Sequence, residues 1–294
     1  MTLASKGEVT ACVAPALLYL ILIVGWPEAN SLLSTFTDSS VGHQRHAFVG
    51  LQNYHRILTV DEYRDALVRG FVYALLTTII KTVFGLTVSI CIYRNISRFR
   101  WLTAVILLPL ALPSSICSSL WIWILNDHLG ALSLIVYRVF GQSYSFLGSP
   151  HLAFITIAGI SVWRETPVFI LLITTGLRSI PNSVVEASSL DGATGMVFLR
   201  YIGFSFAWPY VVASVLLGLV LGFADFAGIY PLTRGGPGNS TQTAVTMAFE
   251  LGIPGNHLAL AYTMIFLMTP FLILMGWSLS RLTMVKETSH VGST

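Results

Sequence analysis

Six long apolar runs, separated by polar segments, constrain this chain more than any other feature. They cover about 11–27, 67–93, 101–125, 151–176, 207–230 and 257–282. Each approaches or exceeds the ~20 residues that a helix needs to cross a bilayer. Inside hydrocarbon no water satisfies the peptide groups, so such runs must be helices that bond their own backbones. Composition agrees: 54% of residues are hydrophobic, 10% are charged, and mean hydropathy is +0.75. A soluble domain carries about 25% charged residues. The expected fold is an all-α membrane protein of six transmembrane helices. One membrane domain would span 11–284, between a short N-terminus (1–10) and a tail (285–294). The first run could pass for a signal peptide, but no small-x-small cleavage pattern precedes Glu28, so it reads as a retained span.

The polar features inside this frame are few. A net charge of +3, with no basic run interleaved with aromatics, gives no case for nucleic acid. Cys12, Cys91 and Cys117 lie in apolar stretches without ligand spacing and read as buried thiols. The seven histidines (His43, His46, His55, His128, His151, His257, His290) show no metal spacing, so no metal site is expected. Lys81 falls inside the second span. It either pairs with Glu165 or Asp225 or extends along the bundle toward water. Pro109 and Pro113 are expected to kink the third span, and Leu132–Phe140 to form a short interfacial helix. Arg164-Glu165, ahead of Pro167, reads as a gate element or, preferably, as an internally neutralised pair.

The segment 177–206 is a polar, helix-forming island between two spans. Pro181 favours helix initiation. Ala187, Ser188 and Ser189, after Glu186, offer a surface of small residues that another protein can approach closely. Asp191-Gly192 then signals a tight turn, with glycine free to adopt the left-handed conformation that ends a helix. Ala193 follows, and a second helical stretch puts Val197, Phe198 and Ile202 on its apolar side. The expected unit is helix, turn, helix, lying beside the membrane.

This order of residues, Glu186-Ala187, Asp191-Gly192-Ala193, Ile202 and Pro209, resembles the cytoplasmic loop signature of permease subunits of binding-protein-dependent ABC importers. Ser188 and Ser205 depart from it, standing where alanine and proline are usual. Further resemblances run along the chain. Phe48-Val49-Gly50-Leu51-Gln52-Asn53-Tyr54 is similar to an element that follows the first span in sugar-type permeases. Trp163-Arg164 with Pro167 is similar to the fourth span. Asp225-Phe226-Ala227-Gly228-Ile229-Tyr230-Pro231-Leu232-Thr233-Arg234-Gly235-Gly236-Pro237, followed by Thr241-Gln242-Thr243, is similar to the stretch after the fifth. Together they place the chain near the carbohydrate-uptake branch, among relatives of the maltose and glycerol-3-phosphate permeases.

The resemblance implies a type I importer fold in a prokaryotic cell membrane, with both termini cytoplasmic; the positive-inside bias of the charges is present but weak. It implies a heterodimer with a second related permease, two ATPase subunits and an extracytoplasmic solute-binding protein. The chain has no phosphate-binding G-x-x-x-x-G-K-[S/T] loop, so ATP and magnesium would belong to the ATPase partners. Glu186, Ala187, Ser188, Asp191, Gly192 and Ala193 would form the coupling helix docked on an ATPase. Gly235, Gly236 and Pro237 would make a tight outer turn facing the binding protein.

Trp121, Trp123, Asn126, Asp225 and Tyr230 are the candidates for a substrate path, since sugars are held by aromatic faces and hydrogen-bonding groups; each Trp otherwise reads as an interfacial anchor. Only Lys81 and Arg164 are taken as basic residues within the spans, which favours a neutral mono-, di- or oligosaccharide over glycerol-3-phosphate. Readings from other classes are a self-contained ion-coupled carrier and a membrane-embedded enzyme. The inverted repeats of many carriers are not evident, and the charged span residues are too scattered for an enzyme.

Overall fold

The computed structural model describes residues 6–40, 42, 47–95 and 100–291. His43, Arg45, His46 and Arg98, which bore on the charge and histidine readings, lie outside the described residues. So do the side chains of Lys6, Cys12, Arg94, Arg100, Lys286 and His290. The described chain is helical, with one isolated antiparallel bridge between Thr37 and Phe48. Its helices are α1 (Lys6–Tyr19), α2 (Trp26–Ser34), α3 (Gln52–Thr59), α4 (Asp61–Asn95), α5 (Arg100–Leu107), α6 (Ser114–Ile124) and α7 (Ala131–Phe140). There follow α8 (Pro150–Arg178), α9 (Asn182–Leu190), α10 (Gly195–Phe198), α11 (Phe204–Phe223), α12 (Phe226–Thr233), α13 (Ala244–Gly252) and α14 (Leu258–Val291).

Among the described residues, five helical stretches are long and apolar enough to cross a membrane: Val13–Ser34, Asp61–Tyr93, Pro150–Arg178, Gly195–Thr233 and Leu258–Ser278. A sixth is a bent pair, Ala104–Ala111 and Ser114–Ile124, turned through 102°. That bend is far sharper than the kink expected for the third span. Its cause is local. Pro113 pushes Leu112 out of the helical region, to φ −92° and ψ 121°, and itself sits extended at ψ 141°. A 3₁₀ turn over Leu108–Ala111, with Pro109 buried, closes the first half. The first span continues to Ser34 through a π-helical turn at Leu20–Gly25, past the expected end near residue 27. The fifth straight helix stops at Phe223, and the expected remainder to 230 belongs to α12.

The chain divides into two compact units. One comprises the residues up to Arg64 together with Met247–Met268. Here the Phe48–Tyr54 element folds back on the end of α2. The Val49 amide donates to Phe36 O at 2.8 Å, Asn53 Nδ2 donates to Thr35 O and Thr37 O at 2.8 and 2.7 Å, and Tyr54 Oη meets Thr35 Oγ1 at 2.8 Å. The element is therefore a hydrogen-bonded cap in which Asn53 and Tyr54 do the binding. Phe48 and Leu51 remain exposed.

The other unit comprises Asp65–Thr246 and Thr269–Thr294 and is built around α8, which buries fourteen residues against its neighbours. Small residues set the spacing. A Cβ on Gly222 of α11 would lie 2.9 Å from Ala74 Cα of α4, and one on Gly85 would lie 2.7 Å from Phe169 Cβ of α8. Hydrocarbon offers no hydrophobic drive between helices, so close backbone approach and dispersion supply the attraction. Phe71, Phe223 and Phe271 add an edge-to-face cluster with centroids 4.5–5.7 Å apart. Cys117 is buried in this unit as expected, but Cys91 is exposed.

Gly222→Val is expected to lower the thermal midpoint of the detergent-solubilised protein, since overpacking costs ~1–3 kcal/mol. Gly276→Ala, where an added Cβ meets nothing within 4 Å, is expected to leave it unchanged or raise it. A midpoint unmoved by Gly222→Val would show that α4 and α11 do not approach this closely.

Candidate functional site

Two features of the larger unit carry functional geometry. The first is a ring of buried polar groups. Lys81, on α4, has none of its surface exposed. Its Nζ donates to Glu165 Oε2 at 2.6 Å and to Ser161 Oγ at 3.0 Å. Glu165 also accepts, through Oε1, from Arg164 Nη2. The same Nη2 donates to Asp225 Oδ1 at 3.1 Å. Asp225 Oδ2 accepts from Tyr73 Oη at 2.7 Å, which returns the ring to α4. Tyr73 and Lys81 are eight residues apart, about 12 Å along the helix. The ring therefore staples two levels of α4 to α8 and to the start of α12.

Two cations and two anions leave the ring neutral, and so α8 can carry adjacent charged residues in an apolar bundle. Asp225 also accepts from the Gly228 amide at 3.0 Å and so caps α12. Arg164 Nη1 has no protein acceptor among the described residues. Lys81 thus pairs directly with Glu165, and Asp225 takes Arg164 instead. The neutralised pair expected at Arg164-Glu165 is half of a larger set.

The second feature is the segment 177–206. Pro181 opens α9 as its N-cap, with the φ of −62° expected at a helix start and an extended ψ of 142°. After Leu190 the chain makes a Schellman turn. Gly192 adopts φ +74°, its amide donates to Ser189 O at 3.2 Å, and the Ala193 amide donates to Ser188 O at 2.8 Å. The turn assigned to Asp191-Gly192 is present. Ile180, Phe198 and Leu199 seat the unit on Ile90 and Tyr93 of α4. Ser188 is buried and donates to Val185 O at 2.8 Å, whereas Glu186, Ala187, Asp191 and Gly192 are exposed and Ala193 is partly covered. A cleft of about 280 Å³, lined by Tyr93, Ser188, Thr194 and Phe198 among others, lies behind the turn. Val197, expected on the apolar face, is 51% exposed, because the short α10 turns Phe198 inward instead. Sequence reasoning passed over Leu190, which is 90% exposed at the tip beside Gly192. A leucine directly before the Asp191-Gly192 turn of a polar loop was the available signal.

The remaining candidates are scattered. Trp121 packs edge-to-face on Trp163 at 5.6 Å, while Trp123 is 77% exposed. Asn126 Oδ1 accepts from the His128 and Leu129 amides, which occupies it in turn formation. Tyr230 stacks on Phe226 with centroids 4.9 Å apart and rings 16° from parallel. Asp225 is buried in the ring and does not line an open surface. The Gly235-Gly236-Pro237 loop folds inward: Gly235 is buried, with no room for a Cβ beside Gln242, and Thr241 Oγ1 donates to Gly236 O at 2.9 Å.

Removing one charge should leave its partner buried and unpaired, at ~3–5 kcal/mol. Lys81→Met is accordingly expected to lower the thermal midpoint sharply, and Lys81→Met with Glu165→Gln to recover most of the loss. A single variant as stable as the parent would refute the ionic ring.

Similar proteins place this architecture. The family described as the binding-protein-dependent transport system inner membrane component matches residues 81–283, more than half of the chain. The trehalose/maltose transport system permease of Thermococcus litoralis is 29% identical over 69% of this chain and 69% of its own length. The sn-glycerol-3-phosphate transport system permease of Agrobacterium fabrum is 26% identical over 82% of each chain. The galactooligosaccharides transport system permease of Bacillus subtilis is 26% identical over 96% of this chain and 72% of its own. Among solved structures, a chain of a bacterial ABC transporter that imports the acidic polysaccharide alginate superposes with a TM-score of 0.81 at 14% identity, covering 93% of this chain and 94% of its own. The matched residues include the four charged members of the buried ring, Lys81, Arg164, Glu165 and Asp225, and the 177–206 turn, and the chain belongs to the family of inner membrane components of binding-protein-dependent transport systems.

Proposed function

We propose that this chain is the translocating subunit of an ATP-driven importer, taking a neutral saccharide from an extracytoplasmic binding protein. Family membership supports the transport role, and the named relatives for trehalose/maltose and galactooligosaccharides support the substrate class. The observation that bears most on the choice of substrate is the ring. Lys81 and Arg164, the basic residues that the sequence reading set within the spans, are both engaged by Glu165 and Asp225. A polyol phosphate, as named for the Agrobacterium relative, would need cations not already neutralised in this way.

The segment 177–206 would couple the chain to an ATPase partner in the cytoplasm, with both termini on the same side. Energy arrives from outside this chain, through two ATPase subunits that hold ATP and magnesium. A second related permease completes the pathway. Leu190 and Gly192 form the contact: Leu190 is the apolar anchor that enters a partner pocket, and the Schellman turn fixes its direction. Glu186 and Asp191 flank it with carboxylates at the rim. Closure of the ATPases would push the turn and, through Phe198, Tyr93 and Ile90, move α4 as a rigid lever. The stacked Phe226–Tyr230 pair and Trp121 offer aromatic faces for a sugar ring.

Leu190→Glu, Glu186→Lys and Gly192→Pro are each expected to leave the subunit in the membrane at parental abundance while lowering ATP-dependent saccharide uptake by about tenfold or more, the consequence of losing a buried interface anchor. Quantitative immunoblotting of membranes beside labelled-sugar uptake reads both quantities. Parental uptake by all three variants would refute the coupling role.

A further inference from the structure

We infer that Asp225 and Arg164 are positioning residues, and that their bond sets where the Phe226–Tyr230 aromatic pair stands. The inference rests on the reading of the chain as a saccharide translocator. Asp225 touches three different parts of the bundle at once. It caps α12 through the Gly228 amide at 3.0 Å, accepts from Arg164 of α8 at 3.1 Å, and accepts from Tyr73 of α4 at 2.7 Å. Helix α12 is only eight residues long, too short to be stable by itself, so its placement depends on such anchors. Ser118 of α6 also fastens it, its Oγ donating to Ala227 O at 2.9 Å, and Ile229 and Leu232 pack into an apolar cluster farther along the helix. Phe226 is the first residue of α12 and Tyr230 follows one turn later, so any shift of the cap moves both rings together.

Gly228 makes the arrangement sensitive to distance. A Cβ there would run into both Asp225 oxygens and come within 2.8 Å of Arg164 Nη1. The cap, the cation and the helix backbone are closed on one another with no spare volume. Asp225 therefore acts on a sugar through the rings it positions, without contacting the sugar itself.

The test uses the assembled transporter in native membranes, with Cys12, Cys91 and Cys117 replaced by serine and Tyr230→Cys as reporter. The probe is a membrane-impermeant maleimide applied to either face. Arg164→Met with Asp225→Leu removes both charges and every ring bond of these residues. Arg164→Gln with Asp225→Asn also removes both charges but keeps hydrogen-bonding groups in place. The apolar pair is expected to change the labelling rate by about tenfold, and the polar pair to stay within about twofold of the parent, as loss or retention of hydrogen bonding at these positions implies. Gly228→Ala, which keeps every ring residue, is expected to reproduce the apolar result even where the apolar pair fails to assemble.

A purely structural role would make the two pairs alike in labelling. Unchanged labelling in both Gly228→Ala and the apolar pair would overturn the inference. Uptake of labelled maltose, measured with Tyr230 intact, separates the two levels: altered labelling with no parental uptake counts against the choice of saccharide and leaves the positioning role standing. Parental uptake with a raised KM and unchanged maximal rate in the apolar pair supports both.

Discussion

Ionic groups can enter this apolar bundle because they neutralise one another. Lys81, Glu165, Arg164 and Asp225 form one electroneutral set, closed by Tyr73 and supported by Ser161. In a low-dielectric interior an unpaired charge is costly, whereas a mutually paired set is tolerated and fixes geometry. Each member satisfies a requirement of another, and the elements that carry them cannot drift independently. Helix α8, which contributes the two central residues, is also the helix with the most buried side chains. Close approaches at Gly85 and Gly222 bring α4 to α8 and α11 near enough for the short bonds to form.

The same unit carries the 177–206 turn. The turn at Gly192 is rigid, closed by two backbone bonds, yet it presents an exposed leucine and two carboxylates. Its inner face rests on α4 through Phe198, Tyr93 and Ile90. Lys81 and Tyr73 lie farther along that same helix. A displacement applied at the turn therefore has a continuous packed route, by way of α4, to the ring and to α12. Coupling and substrate positioning share one lever in this account.

Much of this was legible in the amino-acid order, and the losses have identifiable physical causes. Apolar run length reported the spans, and Asp191-Gly192 reported its turn because turn chemistry is local. The partner of Lys81 stayed open between Glu165 and Asp225, because three elements must pack before either distance exists. Pro109 and Pro113 signalled a break, but its 102° size depends on Leu112 being driven extended. Val197 was misjudged because a four-residue α10 leaves too little helix for periodicity to report which side is covered, and Leu190 was missed because the side to which the last turn of α9 points is fixed only by tertiary packing. The Gly235-Gly236-Pro237 loop reads in sequence as an outer turn, while its packing on Gln242 and Thr241 is a tertiary fact.

The most direct measurement is affinity purification of this chain from native membranes in mild detergent, with ATPase activity assayed on the eluate. The account predicts co-elution with a second permease and an ATPase chain, and activity that rises when a sugar-loaded binding protein is added. A chain that elutes alone, and that moves sugar across liposome membranes without ATP, would contradict it.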